Sequence, residues 1–170
     1  FEPGIEEGIR AFLGNRLHVG PALPEGGVDA AIICVSTPVN PDTHAPELGN
    51  LRAAAGHVAH RCAPDALVIV RSTVPVGASR TVVLPELVAR WGRARLAFAP
   101  ERTIQGQALR ELEELPQVVG GLDPASAEAA AALFGRVTRR VVTVSSLEAA
   151  ELVKLANNCH TDLIYSYGNE

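Results

Sequence analysis

Short apolar runs separated by longer stretches with a helical period make up most of the chain. "VDAAIICV" (residues 28–35), "ALVIV" (66–70), "RLAFA" (95–99), "QVVGG" (117–121) and "RRVVTV" (139–144) read as strands. Several are apolar at successive positions rather than alternating, the pattern of strands covered on both faces.

The segments between them repeat at three or four residues. Leu48, Leu51, Ala55, Val58 and Cys62 form one stripe, and "APDA" stops that helix before the next strand. Val82, Val83, Leu87 and Val88 form a second, in which Pro85 is expected to kink the helix or mark its restart. In "DPASAEAAAALFGRV", Asp123 caps, Pro124 takes the first turn, and Ala127, Ala130, Leu133 and Phe134 supply a face. A last helix runs through "SSLEAAELVKLANNCHTDLIYSYGNE". Strand and helix in alternation predict an α/β fold with a mostly parallel sheet.

Ligands of such folds sit outside the carboxyl ends of the strands. Three polar clusters fall there: "STPVN" after Val35, "RSTVPVG" after Val70 and "PERTIQG" after Ala99. Ser36, Thr37, Ser72 and Thr73 place hydroxyls where the chain leaves the sheet. Helix-like sequence near Gly77 is expected to offer free backbone amides to an anion or a dinucleotide. Ordinary turn and capping chemistry accounts for each cluster equally well when taken singly.

Composition narrows the class. In 170 residues, 47% are hydrophobic and 20% charged, ordinary usage for one globular domain. A formal net charge of −4 leaves no electrostatic footprint for nucleic acid or an anionic membrane. No run approaches the roughly 18 apolar residues of a membrane helix, and "FEPGIEEGIR" lacks a basic flank and an apolar signal core, so a cytoplasmic protein is expected. Cys34, Cys62 and Cys159 lack partners at zinc spacing; they are expected to be reduced, packed thiols, with no metal. The chain contains no Met and opens on Phe1, which suggests a piece of a longer protein.

Two candidate sites emerge from residue type. Glu101, partly desolvated by Phe98 and Pro100, would gain a raised pKa and act as a general base, or else form a surface ion pair with Arg102. Lys154 and Asn158, four apart on one helical face, suit a developing alkoxide because both donate to oxygen. The bland alternative is a solvated stripe shared with Glu151 and Asp162.

Taken together, "EPGIEE", "ICVSTPV", "VIVRSTVPVG", "APERTIQGQALREL", "PQVVGG" and "EAAELVKLANN" resemble, in order and spacing, the UDP-glucose/GDP-mannose dehydrogenase family, in particular its UDP-N-acetylhexosamine branch. The resemblance covers nearly the whole chain. It implies an NAD-dependent, four-electron oxidation of a UDP-sugar at C6, through an aldehyde and a cysteine-bound thioester, serving polysaccharide biosynthesis in a homodimeric parent enzyme. It implies a Rossmann-like sheet, incomplete at its N-terminus, over residues 1–144, and the start of a long connecting and dimerising helix over 145–170.

By position, Val35, Ser36, Thr37, Ser72, Thr73 and Gln105 fall to the cofactor side, with Thr73 also counted among the catalytic residues. Glu101 matches the carboxylate that assists water, and Lys154 and Asn158 the pair that steadies the C6 oxygen. Arg102, Thr103 and Ile104, with Glu101, Lys154 and Asn158, border the sugar nucleotide.

The family's G-x-G-x-x-G turn and its catalytic cysteine have no counterpart in these residues, so the chain alone is expected to be inactive. Gln105, where the glucose-oxidising branch carries an acid, favours an N-acetylated sugar, while Thr161 replaces an arginine common in relatives. The alternatives are a two-electron β-hydroxyacid or 6-phosphogluconate type dehydrogenase, against which "PERTIQG" and "STVPVG" argue, and a non-catalytic binding or assembly module.

Overall fold

A computed structural model describes residues 2–24 and 27–169. Phe1 and Glu170, at the outer bounds of the two expected segments, lie outside the described residues.

Five strands lie side by side in chain order: β1 (Ala30–Ile33), β2 (Leu67–Val70), β3 (Arg95–Phe98), β4 (Gln117–Gly121) and β5 (Val141–Val144). β1, β2 and β3 are parallel, and β5 is parallel to β4. β3 and β4 are antiparallel, with Ala97 opposite Gly121 and Phe98 opposite Gly120. The sheet is therefore mostly parallel with one reversal.

The reversal has a local cause. A parallel continuation needs a crossover that returns to the starting edge of the sheet. After β3, a loop and the seven-residue α4 (Ala108–Glu114) instead stay at the carboxyl edge, and β4 re-enters from there. As a result β5 ends at the opposite edge. The last helix, α6 (Leu147–Asn169), about 35 Å long, starts at that far edge and runs back over β5, β4 and β3 before its exposed final turns.

Alternate residues of β2 and β3 point into two cores, as the pleat requires. Val68, Val70, Leu96 and Phe98 meet α2 (Gly49–Arg61), α3 (Leu84–Trp91) and the base of α6 through Leu51, Ala55, Leu87 and Leu147. Leu67, Ile69 and Ala97 meet Ala130 and Phe134 of α5 (Pro124–Phe134) on the other face. Cover on both faces holds for β2 and β4 but not for β1, where Ile32 is 46% exposed. α5 lies over β3, β4 and β5 and reaches β2.

The two glycines of "QVVGG" permit this sandwich. A Cβ on Gly120 would lie 2.1 Å from the Ser146 carbonyl oxygen, and one on Gly121 would lie 2.5 Å from the Ala127 amide nitrogen. The start of α6 and the first turn of α5 thus press onto bare backbone from opposite faces.

Helix boundaries follow the sequence signals. The Asp123 carboxylate accepts the Ser126 amide at 2.7 Å, with Pro124 in the first turn of α5. Pro85 marks a restart: residues 79–83 form a π-turn that leads into α3. A proline cannot donate the bond that an uninterrupted helix would need there. α1 (Ile5–Phe12) and α4 are two short helices beyond those that the apolar periodicity predicts.

All three cysteines are free, as expected, but only Cys62 is packed; Cys34 and Cys159 are exposed. Cys34 follows the uncovered face of β1, and Cys159 lies on an outward stretch of α6. No helix among the described residues is long and apolar enough to cross a membrane.

Candidate functional site

β1, β2 and β3 end at one edge of the sheet, and β4 begins there. Arg71 follows β2 directly, and its backbone amide extends the ladder to the Ile33 carbonyl. Its guanidinium donates through Nε and Nη2 to one oxygen of Glu101, at 3.1 and 2.6 Å. Nη1 donates to the Ala99 carbonyl and to Gln117 Oε1. The same group lies 5.0 Å from the Phe134 ring centroid, a cation–π distance. Gln117, the first residue of β4, is itself held through its amide nitrogen to the carbonyls of Pro100 and Val118.

Glu101 is thus oriented from two sides. Oε2 meets Arg71, and Oε1 accepts the amides of Arg102 and Thr103, each at 2.8 Å. Burial would raise its pKa, but the Thr103 hydrogen bonds and the Arg71 charge outweigh burial and hold it below the ordinary carboxylate value. This corrects the expected raised pKa. The carboxylate is anionic at neutral pH, 44% of its side chain is exposed, and it can accept a hydrogen bond from a water or an alcohol. The alternative pairing with Arg102 is also corrected. Arg102 donates Nη1 to the Pro116 carbonyl and reaches Asn157 Oδ1 at 3.5 Å, tying the loop after β3 to α6. Its Nε is buried without a hydrogen-bond partner.

Lys154 arrives from α6. Burial lowers its pKa, Glu101 pulls it back up, and Arg102 and Arg71 lower it further. The structure therefore brings Lys154 within electrostatic reach of Glu101, with Asn158 one turn further along, partly buried. An amine whose charge is destabilised by two guanidiniums and stabilised by one carboxylate can donate to an oxygen and respond to its charge.

The loops after β1 and β2 divide into structural and outward parts. The Ser72 hydroxyl accepts the Val35 amide at 2.8 Å and donates to the Val35 carbonyl at 2.7 Å, so it closes the sheet edge. Thr37 donates to the Thr73 carbonyl at 2.6 Å, joining the two loops. Ser36, held by Asn50 Nδ2, and the Thr73 side chain face outward. Ile104 and Gln105 lie on an exposed turn.

The amides near Gly77 are not free, which corrects the expected anion site. Those of Gly77 and Ser79 go to the carboxylate of Glu151, which is fully buried rather than part of a solvated stripe. Arg71, Gln117, Asn50 and Glu151 were missed from sequence. Two signals were available: a lone charge directly after the apolar "LVIV", and an acid at the i+4 position of the face begun by Leu147 and continued by Ala150.

Residues 1–138 match the model of the NAD binding domain of the UDP-glucose/GDP-mannose dehydrogenase family. UDP-N-acetyl-D-mannosamine dehydrogenase of Campylobacter jejuni is 29% identical over 180 aligned positions, covering 99% of this chain and 44% of that protein. NDP-N-acetyl-D-galactosaminuronic acid dehydrogenase of Ralstonia solanacearum is 31% identical, covering 99% and 42%. UDP-D-ManNAc dehydrogenase from Pyrococcus horikoshii superposes with a TM-score of 0.75 at 31% identity, over 81% of this chain and 33% of that one. UDP-N-acetyl-mannosamine dehydrogenase from Staphylococcus aureus superposes at 0.84 over 95% and 40%; at 24% identity it speaks for the fold alone. The chain thus spans less than half the length of these relatives.

Proposed function

Because this chain belongs to the UDP-glucose/GDP-mannose dehydrogenase family, we propose that it forms the base-and-donor half of an NAD-dependent nucleotide-sugar 6-dehydrogenase. The substrate is a UDP-N-acetylhexosamine, of the N-acetylmannosamine or N-acetylglucosamine type. Residues 1–144 belong to the cofactor domain, and 145–170 open the helix that joins it to a second half. The observation that carries this reading is Glu101, oriented by Arg71 and the Arg102 and Thr103 amides at the sheet edge that also presents Ser36 and Thr73, with Lys154 of α6 within reach of its charge.

The residues present fit one side of a dinucleotide. Val35, Ser36, Thr37 and Thr73 offer apolar contact and hydroxyls, while the amides of Gly77 and Ser79 are already taken. NAD held there would supply the hydride acceptor for oxidation of the sugar carbon. Lys154 and Asn158 donate to the oxygen on that carbon as negative charge develops. Glu101, anionic and oriented by Arg71 and the Thr103 amide, aligns a water for hydrolysis of an acyl intermediate. Arg102, Thr103 and Ile104 border the sugar nucleotide, with Gln105 nearby. Exposed Leu163, Ile164, Tyr165 and Tyr167 on α6 support a homodimer through that helix.

Residues 1–170 contain no G-x-G-x-x-G turn, and no turnover is expected from them alone. The test uses a full-length protein containing this chain. Two NADH per UDP-N-acetylhexosamine are expected, and Glu101→Gln is expected to accumulate a covalent acyl-enzyme detectable by mass. One NADH per substrate with no adduct would assign a two-electron dehydrogenase of the β-hydroxyacid or 6-phosphogluconate type. NAD binding without turnover would leave a binding module.

A further inference from the structure

Glu151 has no part in the chemistry proposed above, yet it is the most enclosed ionisable side chain among the described residues, with 0% exposure. Its Oε2 accepts the Gly77 amide at 2.5 Å and its Oε1 the Ser79 amide at 2.8 Å. Arg80 feels its charge but bonds Glu148 instead. The carboxylate thus sits at the positive end of the π-turn and α3, held by backbone alone.

A buried anion is an expensive way to fasten two helices, since a well-packed apolar residue commonly does as well or better. What the carboxylate adds is direction. Two amides two residues apart, each bound to its own oxygen, fix the rotation and height of α6 on the turn. A slip of one residue would rotate the helix by about 100° and shift it by about 1.5 Å. Lys154 and Asn158 stand at i+3 and i+7 from Glu151, on the same face. Gly77 in turn lies four residues after Thr73, whose carbonyl is bonded by Thr37.

We infer that Glu151 is a positioning residue: its carboxylate sets the register of α6 on the Gly77–Ser79 amides and thereby fixes where Lys154 and Asn158, on the same helical face, stand relative to the loop that carries Glu101 and Arg102. The catalytic meaning of that placement rests on the function proposed above. The placement itself does not, and it can be tested without turnover.

Lys154 is the one lysine of residues 1–170, so in a full-length protein containing this chain, selective isotope labelling of lysine, assigned by the signal lost in Lys154→Arg, follows its amine. Its neighbours Glu101, Arg102 and Arg71 stay unchanged in every variant, which leaves its titration as a reporter of position. In Glu151→Gln, the amide group can no longer accept both N–H groups, and the Lys154 pKa is expected to rise toward the ordinary lysine value. Glu148→Gln, which removes a more exposed contact between the same two elements, is expected to leave it unmoved. An unchanged Lys154 titration in a folded but less stable Glu151→Gln would overturn the inference and leave Glu151 as a structural anchor. If that variant does not fold, Glu151→Asp gives the same readout with the charge kept and the reach shortened. If neither folds, hydrogen exchange in the unaltered chain decides. The Gly77 and Ser79 amides must open together with those of residues 151–158, and independent opening would refute the coupling.

Discussion

Glu101 and Glu151 each accept two backbone amides, yet the structure treats them oppositely. Glu101 lies on the loop after β3, 44% exposed, with a guanidinium on its second oxygen. Glu151 lies inside the joint between α6 and the turn at Gly77, with no solvent contact. The difference suits two tasks. The proposed base keeps an open side, through which water and substrate could reach it, and has its charge tuned by Arg71. The proposed pin of α6 is sealed where neither can reach it.

The sharpest way to break this comparison is Glu151→Ala. It strands two amides at a buried helix start, and a loss of about 3 kcal/mol is expected in urea unfolding. A loss under about 1 kcal/mol would show the joint to be held by apolar packing instead.

Arg71→Met comes next. Arg71 is 10% exposed and bonds Glu101, Ala99 and Gln117, so about 2 kcal/mol is expected to be lost, discounted for the open side of Glu101. Because Arg71 helps to depress the Glu101 pKa, the native chain holds a contribution to stability that is full above the unfolded value of 4.5 and fades as pH falls below it. In Arg71→Met the Glu101 titration, followed by NMR, should move up and this acid-sensitive part should shrink.

The smallest effect belongs to the surface pair Arg80–Glu148, which joins the same two elements as Glu151 but from outside. Glu148→Gln should cost less than about 1 kcal/mol. The Arg80 hydrogen bond lowers the Glu148 pKa to about 2, so the pair's contribution is present above pH 4.5 and lost toward pH 2. Unfolding midpoints measured across that range should lose this slope in the variant, while neutral-pH stability barely changes.

Much of the architecture was legible before any coordinates. The five apolar runs became the five strands, shortened at their ends, because β-branched and aliphatic runs between breakers have few other conformations open to them. Asp123 with Pro124, and Pro85, acted where capping and proline chemistry said they would. Glu101, Thr73 and Lys154 were legible as types of residue just after a strand or on a helix face, which is where they lie. The residues that hold Glu101 were not found, since Arg71 lies 30 positions before it and Gln117, which in turn bonds Arg71, lies 16 after it, and strand order alone brings them together. Glu151 shares the face of Leu147 and Ala150, which hints at burial, but its helix alone does not show which backbone amides would satisfy it.

Sequence by itself determined the elements, their caps and the ionisable groups available, because those depend on torsions and spacing within a few residues. Tertiary structure decided what each charge is for. The antiparallel entry of β4 brings Gln117 beside Arg71 and starts α6 at the far edge. That helix then crosses back with Glu151 buried against the Gly77 turn and Lys154 within electrostatic reach of Glu101. Carboxylates of equal intrinsic acidity became one half-exposed and ion-paired and one sealed against backbone amides, because solvation and hydrogen-bond partners are set by packing across the sheet, which local sequence does not encode.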